Sequence, residues 1–149
     1  MNVNVYEIPP MESTERAFLL SKNVSPNLIN LYEEIRNKIL SYGKIQVWVT
    51  KNYLSFKHPY GRNEEKLGTL IDVIFKDDCL QLYFNMRNTM PSDPKNLLTP
   101  TKSLGSCNYY AIINKGDDLS NLDYLIQQAI YCVSHKHRIV RINNKFITI

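Results

Sequence analysis

No acidic residue follows Asp123, and this absence is the most uneven feature of the 149-residue chain. The last 26 residues carry Lys136, Arg138, Arg141 and Lys145 with no carboxylate to offset them, so the whole net charge of +4 resides at one end. Cysteine is scarce: Cys79, Cys107 and Cys132 are odd in number and show no C-x-x-C or histidine spacing. That excludes a disulfide framework and a spaced zinc site, and leads us to expect a reducing, cytoplasmic setting. No run approaches the roughly 18 apolar residues of a membrane span, and no basic stretch leads into an apolar signal region, so neither membrane insertion nor secretion is expected. Glycine is also sparse. Leu104-Gly105-Ser106 has no further glycines or lysine at the offsets of a phosphate cradle. No internal repeat or low-complexity segment is present.

Hydrophobic residues make up 44% of the chain, enough to build one packed core within a single-domain length. Residues 1 to 22, with Pro9-Pro10 and a mixed run from Met11 to Lys22, read as an N-terminal arm or linker. Residues 23–149 read as one domain. Ser25-Pro26 supplies a helix N-cap and a first-turn proline, and Leu28, Leu31, Tyr32, Ile35 and Ile39 form one apolar stripe ending near Gly43. This predicts a helix over about 26 to 42. Ile45, Val47 and Val49 alternate with polar positions before Lys51-Asn52, and Tyr53, Leu54 and Phe56 follow, which predicts a tight hairpin. The polar stretch from His58 to Lys66 predicts a turn, with His58 just before Pro59. Leu70 to Phe75 and Leu80 to Met86 predict a second hairpin around Lys76-Asp77-Asp78. Residues 87 to 106 read as a long loop, Tyr109 to Ile113 as a strand, and Ser120 as the cap of a helix whose Asp123 completes an imperfect capping box. His135, Lys136, His137 and Arg138 fall in that helix's last turn, where cations suit the dipole. Residues 138–149 read as an added C-terminal β-hairpin turning at Asn143-Asn144. The expected fold class is α+β: a mainly antiparallel sheet of about five to seven strands with two principal helices on one face.

The residues define no catalytic set and no metal or cofactor site. Asp72, Asp77, Asp78 and Asp93 lack the spacing of a metal-dependent nuclease, since Leu80-Gln81-Leu82 stands where an acid and a lysine would follow. Cys107 needs a nearby base before it becomes a nucleophile, and spacing does not bring His58, His135 or His137 to it. The basic end is a candidate phosphate-binding surface, with the competing role of lysine and arginine blocking an exposed strand edge. Trp48 stands out of phase with Ile45, Val47 and Val49 and reads either as an exposed stacking platform or as core.

Ser25-Pro26, Leu31-Tyr32-Glu33-Glu34-Ile35-Arg36, Lys51-Asn52-Tyr53, Asp72-Val73, Leu82-Tyr83-Phe84-Asn85-Met86, Asp93-Pro94, Tyr109 and Asn121-Leu122-Asp123-Tyr124 form a spaced series. On these residues the chain from about Lys22 to Tyr131 resembles the domain of unknown function 5655, a small α+β module. That module also occurs at the C-terminus of predicted transport or restriction-endonuclease-like proteins. The resemblance implies a nucleic-acid or defence setting. The family loop typically reads Gly-His-Trp-Gly-Asn-Gly-Asp-Tyr, whereas this chain has Lys102-Ser103-Leu104-Gly105-Ser106-Cys107-Asn108-Tyr109, without the histidine and tryptophan. The expectation is a noncatalytic binding module for nucleic acid or a nuclease-type partner, with Lys136, Arg138, Arg141, Lys145, Trp48, Asn108 and Tyr109 as candidate contacts. The alternative is a protein-interaction domain or homodimer that pairs through Phe146 to Ile149.

Overall fold

A computed structural model describes residues 8–61, 63–135 and 139–148. Its elements run α1 (Ser13–Ser21), α2 (Pro26–Leu40), β1 (Gln46–Val49), β2 (Leu54–Tyr60), β3 (Asn63–Phe75), β4 (Cys79–Phe84), β5 (Thr99–Leu104), β6 (Cys107–Asn114), α3 (Leu122–Ser134), β7 (Ile139–Ile142) and β8 (Lys145–Thr148). Six strands form one antiparallel sheet in the order β1-β2-β3-β4-β6-β5, and β7 and β8 pair separately. The fold is α+β, with the helices on one face.

Local chemistry explains most element boundaries. The Ser25 hydroxyl accepts the Leu28 N–H at 3.3 Å, and Pro26 opens α2 where its missing N–H costs nothing. The apolar stripe of α2 buries Leu28, Leu31, Tyr32, Ile35 and Ile39 against the sheet. Helix α3 adds Leu125, Ile126, Ala129 and Val133. Facing them are two cross-strand rows, Leu54–Val73–Leu82–Ala111 and Phe56–Ile71–Phe84–Tyr109, set by the pairing of β2 with β3, β3 with β4 and β4 with β6. The Asp123 carboxylate ties α3 to α2 through Lys38 Nζ at 3.0 Å, and Tyr42 donates to the Asp123 carbonyl at 3.4 Å.

Four expectations change. The arm reading of residues 1–22 gives way at α1, which sends Phe18 and Leu19 into the core, with the Phe18 ring 5.9 Å from Phe75. The turn expected from His58 to Lys66 is instead a long β2–β3 ladder in which His58 pairs with Gly68 and Pro59 with Leu67. Proline is tolerated there because β1 pairs with β2 only as far as Lys57, which leaves the Pro59 nitrogen on an open edge. The loop from 87 to 106 contains β5, and its approach is pinned. Asp93 caps the Leu97 and Leu98 amides at 2.9 and 2.8 Å, and the Gln128 side chain grips the Ser92 N–H and carbonyl at 2.7 and 2.8 Å. Finally, Asn121 rather than Ser120 precedes α3. The Ser120 N–H is taken by Asp118 Oδ1 at 2.9 Å, while Asp123 is occupied by Lys38 and Tyr42.

Candidate functional site

The basic end enters the structure as a two-stranded ribbon. Asn143 and Asn144 both take positive φ, 52° and 63°, as the mirror-image turn of a two-residue hairpin requires. The backbone register sets Arg141 opposite Phe146 and Lys145 opposite Ile142. Lys136 and Arg138, as well as Ile149, lie outside the described residues.

Trp48 is about half exposed on the sheet face away from the helices. It begins the cross-strand row Trp48–Ser55–Asp72–Tyr83–Tyr110–Thr99. Its indole N–H donates to Gln46 Oε1 at 3.2 Å, and Lys57 Nζ sits 5.7 Å from the ring centroid. Further along, the Tyr83 and Tyr110 rings stack with centroids 5.5 Å apart, and Ile112 is 47% exposed. This face therefore offers aromatic and apolar surface beside a cation. Lys57 was missed in the sequence. Its signal was the Lys51-Asn52 turn, which fixes Trp48 opposite Ser55 and puts Lys57 two residues on, on the same face.

Asn108 and Tyr109 have structural employment. The Met86 N–H donates to Asn108 Oδ1 at 2.9 Å, and Asn108 Nδ2 donates to the Arg87 carbonyl at 2.6 Å, so the amide side chain joins β6 to the end of β4. It also steadies Arg87, which holds the left-handed φ of 52°. Tyr109 packs against the core. These two are not brought together with Trp48 as one surface.

Beneath the open face lies a buried polar cluster. Cys107 Sγ is 3.7 Å from Asp72 Oδ2 and 3.4 Å from the Tyr83 carbonyl oxygen, and Ser55 stands opposite Asp72 in the register. Burial pushes the Asp72 carboxyl above its ordinary range, partly offset by the neighbouring Ser55 hydroxyl and Cys107 thiol and by the charge of Lys57. Burial also pushes the Cys107 thiol well up, and the Asp72 charge adds to this. A thiol held protonated beside a carboxylate lacks the imidazole that would make it a nucleophile. His58 Nδ1 contacts the Pro59 carbonyl oxygen at 2.9 Å, and His135 stacks on Tyr131 with centroids 4.1 Å apart. Asp77 and Asp78 are exposed at the β3–β4 tip, far in role from Asp93. Among the described residues, no group of three or more His, Cys, Asp and Glu side chains is placed to hold a metal ion. None of their helices is long and apolar enough to cross a membrane.

No family model, no curated protein and no solved structure matches this chain.

Proposed function

We propose that the protein is a noncatalytic binding module that engages nucleic acid through its basic C-terminal ribbon. The observation that carries this reading is the segregation of charge: the entire +4 falls after Asp123, and two of those four cations sit on a ribbon that forms its own sheet. A two-stranded β-ribbon has the width to enter a major groove, and neutralising phosphates with Lys and Arg releases condensed counterions. Trp48 beside Lys57 adds a place where a base can stack next to a cation. The restriction-related setting implied by the resemblance to domain of unknown function 5655 agrees with a nuclease-type partner or a defence role in the cytoplasm.

The test is fluorescence anisotropy with labelled single- and double-stranded DNA and RNA across a salt series. Binding that weakens log-linearly with salt is expected. Replacing Arg141 and Lys145 together with Gln should lower the slope by about 1.4–1.8, since each phosphate contact contributes about 0.7–0.9. Absence of salt-sensitive binding to any of the four probes rejects the reading.

A further inference from the structure

The two edges of the six-stranded sheet are built differently. At β5 the edge carries Pro100 and the exposed Lys102, and its register with β6 shifts between Pro100 and Leu104. Proline, lysine and a bulge are the devices by which natural edges refuse another strand. The β1 edge has none of them: Gln46-Val47-Trp48-Val49 is uncharged, free of proline, and in unbroken register with β2. It also exposes 49% of Trp48 and 40% of Val49, and it borders a groove of about 390 Å³ whose walls include Pro9, Pro10 and Thr14.

Hydrogen-bond alternation identifies which groups on this edge are free. The Thr50 N–H donates to the Tyr53 carbonyl at 3.0 Å, so the Thr50–Tyr53 pair is hydrogen-bonded. Antiparallel pairs alternate, which makes Trp48–Ser55 and Gln46–Lys57 bonded pairs and points the N–H and C=O groups of Val47 and Val49 away from β2. Among the described residues no backbone group takes them.

We infer that β1 pairs with β1 of a second copy of this chain, antiparallel and about a two-fold axis at Trp48. In that register Val47 of each copy lies opposite Val49 of the other, and the two outward-facing peptide groups of each strand meet as four backbone hydrogen bonds. Trp48 meets its own counterpart in a non-hydrogen-bonded pair, where side chains approach most closely. An isologous contact sets like beside like, so a strand without charge is the one that suits self-pairing. The flanking Lys44 and Lys51 fall opposite Asn52 and Ile45 of the other copy, so no lysine faces a lysine. The result is a continuous twelve-stranded sheet with the two Trp48 residues, one from each copy, at its centre.

Sedimentation velocity over about 1 to 200 μM should show a dimer whose population rises with concentration, the range suiting a small interface. Trp48 emission should shift to the blue in parallel. Val49→Pro removes an outward N–H without touching a β1–β2 bond, and Trp48→Lys places two cations face to face; each should weaken the dimer about tenfold or more. Far-ultraviolet circular dichroism should show both variants folded. In a Cys79→Ser background, Trp48→Cys should form a disulfide-linked dimer on mild oxidation, because such pairs lie within bridging distance. A wild-type chain at monomer mass throughout overturns the inference, as does a dimer insensitive to both Val49→Pro and Trp48→Lys. Two other occupants would show themselves, and either overturns it: dimerisation that appears only after deletion of residues 1–7 assigns the edge to the chain's own start, and dimerisation lost only on deletion of residues 138–149 assigns it to the C-terminal strand.

Discussion

At the scale of single residues, the most consequential arrangement joins Glu15, Tyr32 and Arg36. Arg36 Nε and Nη2 donate to the Glu15 carboxylate at 2.7 and 3.2 Å, Nη1 donates to the Pro9 carbonyl at 2.7 Å, and the Tyr32 hydroxyl donates to Glu15 at 2.7 Å. Glu15 and Arg36 are only 3% and 4% exposed, so removing one partner leaves the other charged and dry. Arg36→Ala should cost about 3–5 kcal/mol in urea unfolding, whereas Lys38→Ala, which breaks the half-exposed pair with Asp123, should cost no more than about 1 kcal/mol. Equal losses from the two changes would contradict this ranking. The network also shows why its helix was illegible in sequence. A buried glutamate breaks the apolar period of Ser13–Ser21, and its partner lies 21 residues away. The meeting of Cys107 with Asp72, 35 residues apart, was hidden in the same way.

At the scale of elements, α3 and the long β2–β3 hairpin meet at Gly68. A methyl group there would stand 2.8 Å from Tyr60 Cδ2 and 3.0 Å from Val133 Cγ1. Neither neighbour is free to withdraw: Val133 is fully buried, and Tyr60 accepts a hydrogen bond from Arg87, whose guanidinium lies 5.0 Å from its ring centroid. Gly68→Ala should therefore destabilise by about 1–3 kcal/mol, read as a lowered urea midpoint at unchanged slope. A neutral or stabilising result would mean that the hairpin shifts away from α3 without cost. Elements with strong local signals were legible, such as α2 from its Ser-Pro start and apolar stripe, and the hairpins from their alternation and polar turns. β5 was not. Thr99 to Leu104 has the proline and polar residues of a loop, and only pairing with β6 makes it a strand. The C-terminal hairpin was legible because Asn143-Asn144 states its own turn, although the disposition of its cations follows from nothing local.

At the scale of the molecule, the buried carboxyl of Asp72 gives stability a pH dependence with a definite sign. Its folded pKa is raised above the ordinary 3.8, so the proton is held more tightly in the folded state. The associated stability is fully present below the unfolded value and is lost as pH rises through the raised folded value. Asp72→Asn keeps the neutral form at every pH. Its melting temperature should exceed that of wild type at pH 7, and the advantage should shrink toward pH 3.5 in a differential scanning fluorimetry series. An advantage that grows on acidification would reverse the assignment. The α+β class and one-sided helix layer were readable from the sequence as a whole, because periodicity switches between two and 3.6 along the chain. The strand order β1-β2-β3-β4-β6-β5 carries a further consequence for the nascent chain. The first four strands are complete by Phe84, but the helix that covers part of their apolar face begins at Leu122. At about 5–20 residues per second, the ribosome needs on the order of 2–8 s to bridge that interval. During it, the side of the emerging sheet that awaits Leu125, Ile126 and Ala129 stays open to water and to whatever else is nearby.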